Sequence, residues 1–596
     1  MRFKYHSFWE RFSVSTSLGL GLLALSIFFL GLVKALYSYI LVSIFLAALI
    51  VSIATWPGLF KIKRLTTNVK SSLRKIKSYT ILWLTIIASI FIATCSLPLY
   101  PPTFWDSIEY HLAVAKIYAQ SHALIFTPYL RFPVNPQLNQ MLFTGGFVVY
   151  DEISAHLIEY AMLLLIPCAL YAFSRRYFSP WVGILASALW LGSPFSIQFG
   201  SVGYIDIGLT LFSLLSIYLF INYFYTNDDK WLVLSGVFLG FSAAVKYTGL
   251  FYVLVCGMLS IWIAYKKHDY LVPVKLGIAI LVIAAPFYIR NYYYSGNPFF
   301  PFFSNIFDQR IWSDADIAGL LREQSSFGIP KNIISVIKMP WYLIYKPNTF
   351  FSELGDRLLF SPAYFLAFLS IPVMFFFKKT RLLSIFSISF ILFWFETTQI
   401  IRYVFPVVPL LSIITSISIY YLLRQVILFI GRRDRNPKFL RVSRLIVIAA
   451  LASAFALPSI TFSREMHIYL GPIPVTETAR AQYLERFLPT YPAYRLLNEQ
   501  ADHKYSVYAF FDENMAYFAN GSFMGDWFGP ARYSQVENIL DNDTYLFTRL
   551  QQLGANYFLI NIQRFGHLPE HLLDSAYFQI LTHTKSYILF RLADRQ

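Results

Sequence analysis

Two carboxylates offer the first chemistry in this chain. Asp106 and Glu109 stand three residues apart in the segment Pro101-Pro102-Thr103-Phe104-Trp105-Asp106-Ser107-Ile108-Glu109-Tyr110-His111. At about 100° per residue, a helix here puts Asp106, Glu109, Tyr110 and Ala113 on one face and Ile108, Leu112, Ala115 and Ala119 on the other. Such a helix is expected to lie in a membrane interface, apolar side down, with its acids turned from the lipid. A carboxylate held there can take the proton of an attacking hydroxyl. The same spacing is also a capping box behind two prolines, a start signal with no catalytic content.

Separated parts of the chain supply a further acid and three cations. Asp206 follows Gly203-Tyr204-Ile205 at the head of an apolar run, Lys246 precedes Tyr247-Thr248-Gly249 at a tight turn, and Arg290 closes a run before Tyr294-Ser295-Gly296-Asn297-Pro298. Arg402 follows Thr397-Thr398-Gln399-Ile400-Ile401, with Glu396 on the other side of that turn. Each has a plainer reading: an N-terminal cap for Asp206, snorkelling to headgroups for Lys246 and Arg290, and an ion pair with Glu396 for Arg402. Their common position near one membrane surface gives them a joint meaning. A polyprenyl-phosphate sugar needs cations to meet its phosphate as negative charge builds on the leaving group, and a carboxylate for the incoming alcohol. No Walker-type loop and no strand-linked dinucleotide fingerprint occurs, so direct use of a nucleotide is not expected. Cys95, Cys168 and Cys256 each sit inside an apolar run without a CxxC pair, which indicates neither a disulfide framework nor a zinc site. No metal ligand set is assigned, and a divalent metal is not indicated.

The elements that must position these groups are membrane helices. Of 596 residues, 57% are hydrophobic and only 14% charged, which excludes an ordinary soluble enzyme. Apolar runs at roughly 14–33, 36–55, 79–98, 153–173, 181–200, 204–224, 231–247, 249–265, 271–290, 357–377, 382–401, 403–423 and 445–461 predict about thirteen spans. The net charge of +17 falls mainly in short connections and is read as orientation rather than nucleic-acid binding. With a cytoplasmic N-terminus, the returning loops carry Lys61 to Lys77, Arg175 and Arg176, Lys266 and Lys267, Lys378 to Arg381, and Arg432 to Arg444. Asn227-Asp228-Asp229-Lys230 is neutral to acidic. The hydrophilic insertions 99–152 and 291–356 and the segment 462–596 then share the outer face. After Pro472 and Pro474 the apolar runs shorten, as at Tyr505–Phe511, Tyr557–Ile562 and Tyr587–Leu592. They predict a small outer α/β domain at 462–596, behind a transmembrane module at 1–461.

At these residues the chain resembles the GT-C superfamily of membrane glycosyltransferases, in particular the family 39-like branch of protein O-mannosyltransferases and aminoarabinose transferases. The resemblance runs over about residues 99–300. It rests on Trp105-Asp106 with Tyr110 and His111, Pro133 and Pro136-Gln137-Leu138 leading to Asp151, Gly240 through Leu250 with its Lys-Tyr-Thr-Gly-Leu core, and Arg290 with Gly296-Asn297-Pro298-Phe299-Phe300-Pro301. Arg402-Tyr403 with Pro406 and Pro409 is similar to a later Arg-Tyr turn of the family. The resemblance implies a mainly α, polytopic bundle of GT-C type and a dolichyl- or undecaprenyl-phosphate sugar donor. Asp106, with Glu109, is then the catalytic candidate, while Lys246, Arg290, Arg402, Tyr110, His111 and Asp206 serve donor phosphate and substrate. Many relatives carry two adjacent acids in the loop; here Ser107 follows Asp106, which leaves the role of Glu109 open.

The expectation is an inverting transfer of one sugar to a hydroxyl of a glycan, lipid or protein acceptor at the outer face, in a bacterial inner membrane. A lipid-linked glycan transporter and a non-catalytic assembly subunit are the alternatives. The loop Gly525 to Tyr533 contacts acceptor or packs the outer domain on the membrane part.

Overall fold

The computed structural model describes residues 4–55, 77–431, 437–501 and 504–593. The basic stretches Lys61 to Lys75 and Arg432 to Arg435 lie outside them. Helices occupy each of the thirteen apolar runs. Among the described residues, eight helices are long and apolar enough to cross a membrane, including Phe8–Leu32, Glu152–Tyr177, Asp206–Thr226 and Leu271–Ser295. The shortfall has local causes. The run 181–200 is two helices, Pro180–Leu191 and Pro194–Phe199, separated at Gly192-Ser193 and restarted by a proline in its first turn. The run 357–377 yields only a short turn, Pro362–Tyr364, and the helix Phe365–Met374. With this many apolar helices the chain is an integral membrane protein.

Asp206–Thr226 runs through the middle of the bundle with nearly every residue buried. It pairs with Asp229–Val245, which in turn packs closely on Leu271–Ser295. Gly236 and Gly240, four apart, make that approach possible. A Cβ on Gly240 would stand 2.6 Å from the Ile283 Cβ, and one on Gly236 would stand 2.7 Å from the Ala279 Cβ. These three helices carry Asp206, Lys246 and Arg290 at or near their ends.

The hydrophilic segments meet at one end of the bundle. From Glu477 to Leu592 the chain forms helices and a five-stranded sheet in the order β2-β1-β3-β5-β4, with β1 at Ser506–Phe510, β2 at Ser522–Met524, β3 at Tyr557–Asn561, β4 at Phe578–His583 and β5 at Tyr587–Leu592. β1 pairs in parallel with both β2 and β3, whereas β5 is antiparallel to β3 and β4. The sheet unit is tied to the first insertion by Arg131–Asp526 (2.9 Å) and by Arg480–Glu152, and to the second by Arg532–Asp316 (3.2 Å). A small shared core of Val134, Phe300, Trp312, Ile317 and Leu320, with Phe528 packed on it, joins all three segments. Asp526, Phe528 and Arg532 of the loop Gly525 to Tyr533 make these packing contacts.

The helix bearing Asp106 differs from the expected interfacial one. Ile108, Leu112, Ala113 and Val114 are all buried, so the helix is enclosed rather than laid on lipid. The helix with a bare apolar row is instead Ile333–Tyr345, whose Ile333, Ile334, Ile337 and Trp341 are exposed, the pattern of an interfacial helix.

Candidate active site

Ser107–His111 forms a π-turn between Asp106 and the α-helix Leu112–Gln120. An i→i+5 turn winds by about 80° per residue rather than about 100°, which leaves residues four apart about 40° from alignment, as in an α-helix, but swings those three apart from about 60° to about 120°. The Tyr110 hydroxyl accordingly donates to Asp106 Oδ2, while Glu109 leaves the face that the α-helical spacing predicts it shares with Asp106. Asp106 has helical backbone angles and makes no side-chain cap bond, so the capping-box reading fails. Wide turns of this kind gather at functional sites because they re-aim side chains.

Asp106 is held from three sides. Arg402 Nη2 and the Tyr110 hydroxyl both donate to Oδ2, and the Tyr204 hydroxyl accepts from the Asp106 backbone N–H at 3.2 Å. Both side-chain bonds use Oδ2, which leaves Oδ1 as the oxygen able to accept another proton. Burial opposes ionisation of Asp106, but Arg402 and the Tyr110 hydroxyl outweigh it and hold the carboxyl below its ordinary range. Arg402 does not pair with Glu396 across its turn. It reaches Asp106 and, at 3.5 Å, Glu353, because the short helix Ile401–Val407 turns it into the protein. Glu353 also accepts from the Tyr204 hydroxyl at 3.0 Å, and burial pushes its carboxyl up to about 7.

A cavity of about 450 Å³ adjoins this cluster. Tyr110, His111, Lys246, Asn135, Gln324, Thr397 and Tyr403 give it a polar side, and Phe300, Phe302, Phe303, Phe390, Phe393 and Trp394 an apolar one. Lys246 caps the helix Asp229–Val245, pairs with Asp206 at 3.2 Å and lies 3.8 Å from the Tyr403 ring centre. Asp206 thus orients Lys246 from the first turn of its own helix. Tyr247 donates to the Phe300 carbonyl at 2.8 Å and accepts from Asn291 at 3.0 Å. That links the Lys-Tyr-Thr-Gly segment to the Gly-Asn-Pro segment as two walls of one cavity. Burial lowers His111 to about 3, so it is neutral. Its Nδ1 lies 3.0 Å from Gln140 Nε2, which as an amide donor leaves Nε2 to carry the ring proton.

The expected residues are therefore not all gathered. Asp106, Tyr110, His111, Arg402, Lys246 and Asp206 come together. Arg290 does not line the cavity; it is buried, donates to Gln137 Oε1 (3.1 Å) and the Tyr118 hydroxyl (2.6 Å), and supports the Asn135–Gln137 wall from behind. Glu109 faces the sheet unit, where Arg131 lies 3.3 Å from it and also pairs with Asp526. Burial, with Asp526 and Asp106 nearby, raises Glu109 well above its ordinary value despite Arg131. One guanidinium thus serves two buried carboxylates. Glu353 and Arg131 sit in loops without motif or spacing and only the folded chain brings them in, while Tyr204 and Asp526 stand in segments singled out in the sequence but gain their partners only in the fold.

Comparison with known proteins bears on this arrangement. Residues 140–289 match the dolichyl-phosphate-mannose-protein mannosyltransferase family, and residues 479–591 match a family described as SF2091/S2213. The crystal structure of ArnT from Cupriavidus metallidurans bound to undecaprenyl phosphate superposes with a TM-score of 0.52 at 13% identity, covering 86% of this chain and 97% of that one. The chain has the GT-C fold. The apo form of the same ArnT superposes with a TM-score of 0.51 at 14% identity, covering 86% and 97%. Two uncharacterized proteins of Shigella flexneri are also similar. SF2092/S2214 is 27% identical over 27% of this chain and 79% of its own length, and SF2093/S2215 is 29% identical over 24% and 71%. Within the GT-C fold, the mannosyltransferase match includes Asp206 and Lys246, while Asp106 and Arg402 lie outside it and join the cluster only through the tertiary structure.

Proposed function

We propose that the chain is an inverting glycosyltransferase that moves one sugar from a polyprenyl-phosphate donor to an acceptor hydroxyl. The observation that carries this is a carboxylate with one unengaged oxygen, Asp106, bonded to Tyr110, which lines a half-polar, half-aromatic cavity whose polar wall also holds Lys246. The lipid chain lies along the phenylalanine side, and the phosphate meets Lys246. The acceptor oxygen attacks the anomeric carbon from the opposite face while its proton passes to Asp106 Oδ1. The bond from the anomeric carbon to the phosphate oxygen breaks, and the polyprenyl phosphate departs with the electron pair. Arg402 and Tyr110 fix the base and keep it ionised, and Asp206 fixes the cation. The undecaprenyl phosphate in the ArnT structure supports a lipid phosphate as the donor's leaving group. The outer face of a bacterial inner membrane suits such a donor, with the sheet unit on that side.

The test uses membranes carrying Asp106→Asn, which keeps the shape and removes the charge. Protein level and binding of undecaprenyl phosphate are expected to persist, while transfer falls by about a hundredfold to ten-thousandfold, the usual worth of a positioned base. Undiminished turnover removes Asp106 from the mechanism. Movement of donor across sealed vesicles without a new glycosidic bond replaces the enzyme by a transporter.

A further inference from the structure

We propose that the carboxyl edge of the sheet unit, between Trp105 and Trp527, is a saccharide-binding subsite for the acceptor. This rests on the glycosyltransferase reading and narrows its acceptor to a glycan.

The topology marks the place. β1 lies between β2 and β3, all parallel, and the chain leaves β1 for one side and returns on the other. Loops beyond the carboxyl ends of strands at such a switch point are where open α/β sheets take ligands. Here those loops carry Asp512 and Glu513 after β1, Asp526 and Trp527 after β2, and Arg564 after β3. They face residues 105–111 of the candidate active site: Arg564 stacks on the Trp105 ring at 4.6 Å, and Asp526 shares Arg131 with Glu109. The edge is thus turned towards Trp105 and Glu109, on the segment that also carries Asp106.

The side chains suit a sugar. Glu513 is buried and receives both Arg564 nitrogens, at 2.6 and 2.9 Å, together with the Tyr533 hydroxyl and, at 3.1 Å, the Trp527 indole N–H. These bonds hold Arg564 and Trp527 in fixed positions. Trp527 is nonetheless 45% exposed and Trp105 40% exposed. Two partly exposed indoles, Trp527 anchored through Glu513 and Trp105 against the Arg564 guanidinium, offer stacking surfaces for the C–H faces of sugar rings, and the guanidinium is a planar donor for their hydroxyls. A lipid acceptor would call for a continuous apolar surface rather than an ion pair beside the rings. Trp105 immediately precedes Asp106, so a glycan held at Trp105 lies beside the segment that carries the base.

The test uses the full chain in lipid nanodiscs on an array of immobilised bacterial polysaccharides and oligosaccharides, without donor. Binding to at least one glycan is expected, weakened about tenfold by Trp527→Ala and again by Trp105→Ala, and largely kept by Trp527→Phe, which retains a ring. With the glycan so found as acceptor, Trp527→Ala is expected to raise KM while kcat changes little. Absence of glycan binding, or binding indifferent to both tryptophans, overturns the subsite while leaving any measured sugar transfer standing. Tryptophan-dependent binding with no transfer by the wild-type chain keeps the subsite and refutes the glycosyltransferase reading instead.

Discussion

Single residues here are defined by how many charges they must share. Arg402 faces Asp106 and Glu353 together, and Arg131 faces Glu109 and Asp526. In the first case the excess charge falls on Glu353, which burial moves up to about 7. Below that pH Glu353 holds a proton and Arg402 serves Asp106 alone, which makes Asp106 a weaker base. Above it the ionised Glu353 competes for Arg402, and Asp106 is released to accept a proton. Transfer is therefore expected to rise with pH through about 7, and Glu353→Gln should abolish that limb of the pH profile and fix the rate near its low-pH value. An unchanged profile in the variant assigns the titration elsewhere. In the second case, Arg131→Ala leaves two buried carboxylates without their cation, a change worth about 3–5 kcal/mol. Thermal unfolding in detergent should show this as an early melt of the sheet unit's contact with the first insertion, partly restored by Arg131→Lys.

At the scale of elements, the site depends on two close fits. The π-turn at Ser107–His111 decides which acid joins Tyr110, and the Gly236/Gly240 contact sets how near the helix bearing Lys246 lies to the one bearing Arg290. Gly240→Leu drives a side chain into Ile283 and the Ile280 carbonyl, costs about 1–3 kcal/mol, and moves Lys246 with its helix. The expected result is a folded protein by size-exclusion chromatography with weakened binding of polyprenyl phosphate; undiminished binding detaches Lys246 from the donor. These elements also show where the sequence was informative. Helix positions followed from apolar length, and β1, β3 and β5 from short apolar runs. β2 and β4 had no such signal: β2 is only Ser522–Met524, and β4 alternates too weakly, with Gln579 and Ile580 exposed. The π-turn is illegible because its composition is that of an ordinary helix, whose α-helical period places Glu109 beside Asp106.

For the whole molecule, the resemblance carried on Lys-Tyr-Thr-Gly-Leu and Gly-Asn-Pro led to the right fold, since those segments form adjoining cavity walls tied by Tyr247. What sequence could not supply was the meeting of distant loops. Glu353, Arg131 and Asp526 acquire a role only when both insertions and the sheet unit close over one end of the bundle. That closure puts a half-polar, half-aromatic cavity and the edge of the sheet unit next to the segment that carries Asp106. The central claim is that a polyprenyl-linked sugar is spent there. Mass spectrometry of lipid-linked sugars and envelope glycans, from cells with the chain, without it, and with Asp106→Asn alone, tests it most directly. The account predicts that one polyprenyl-phosphate sugar accumulates and one glycan lacks that sugar, both in the absence of the chain and with Asp106→Asn. Identical lipid and glycan profiles in all three, or full restoration by Asp106→Asn, would contradict it.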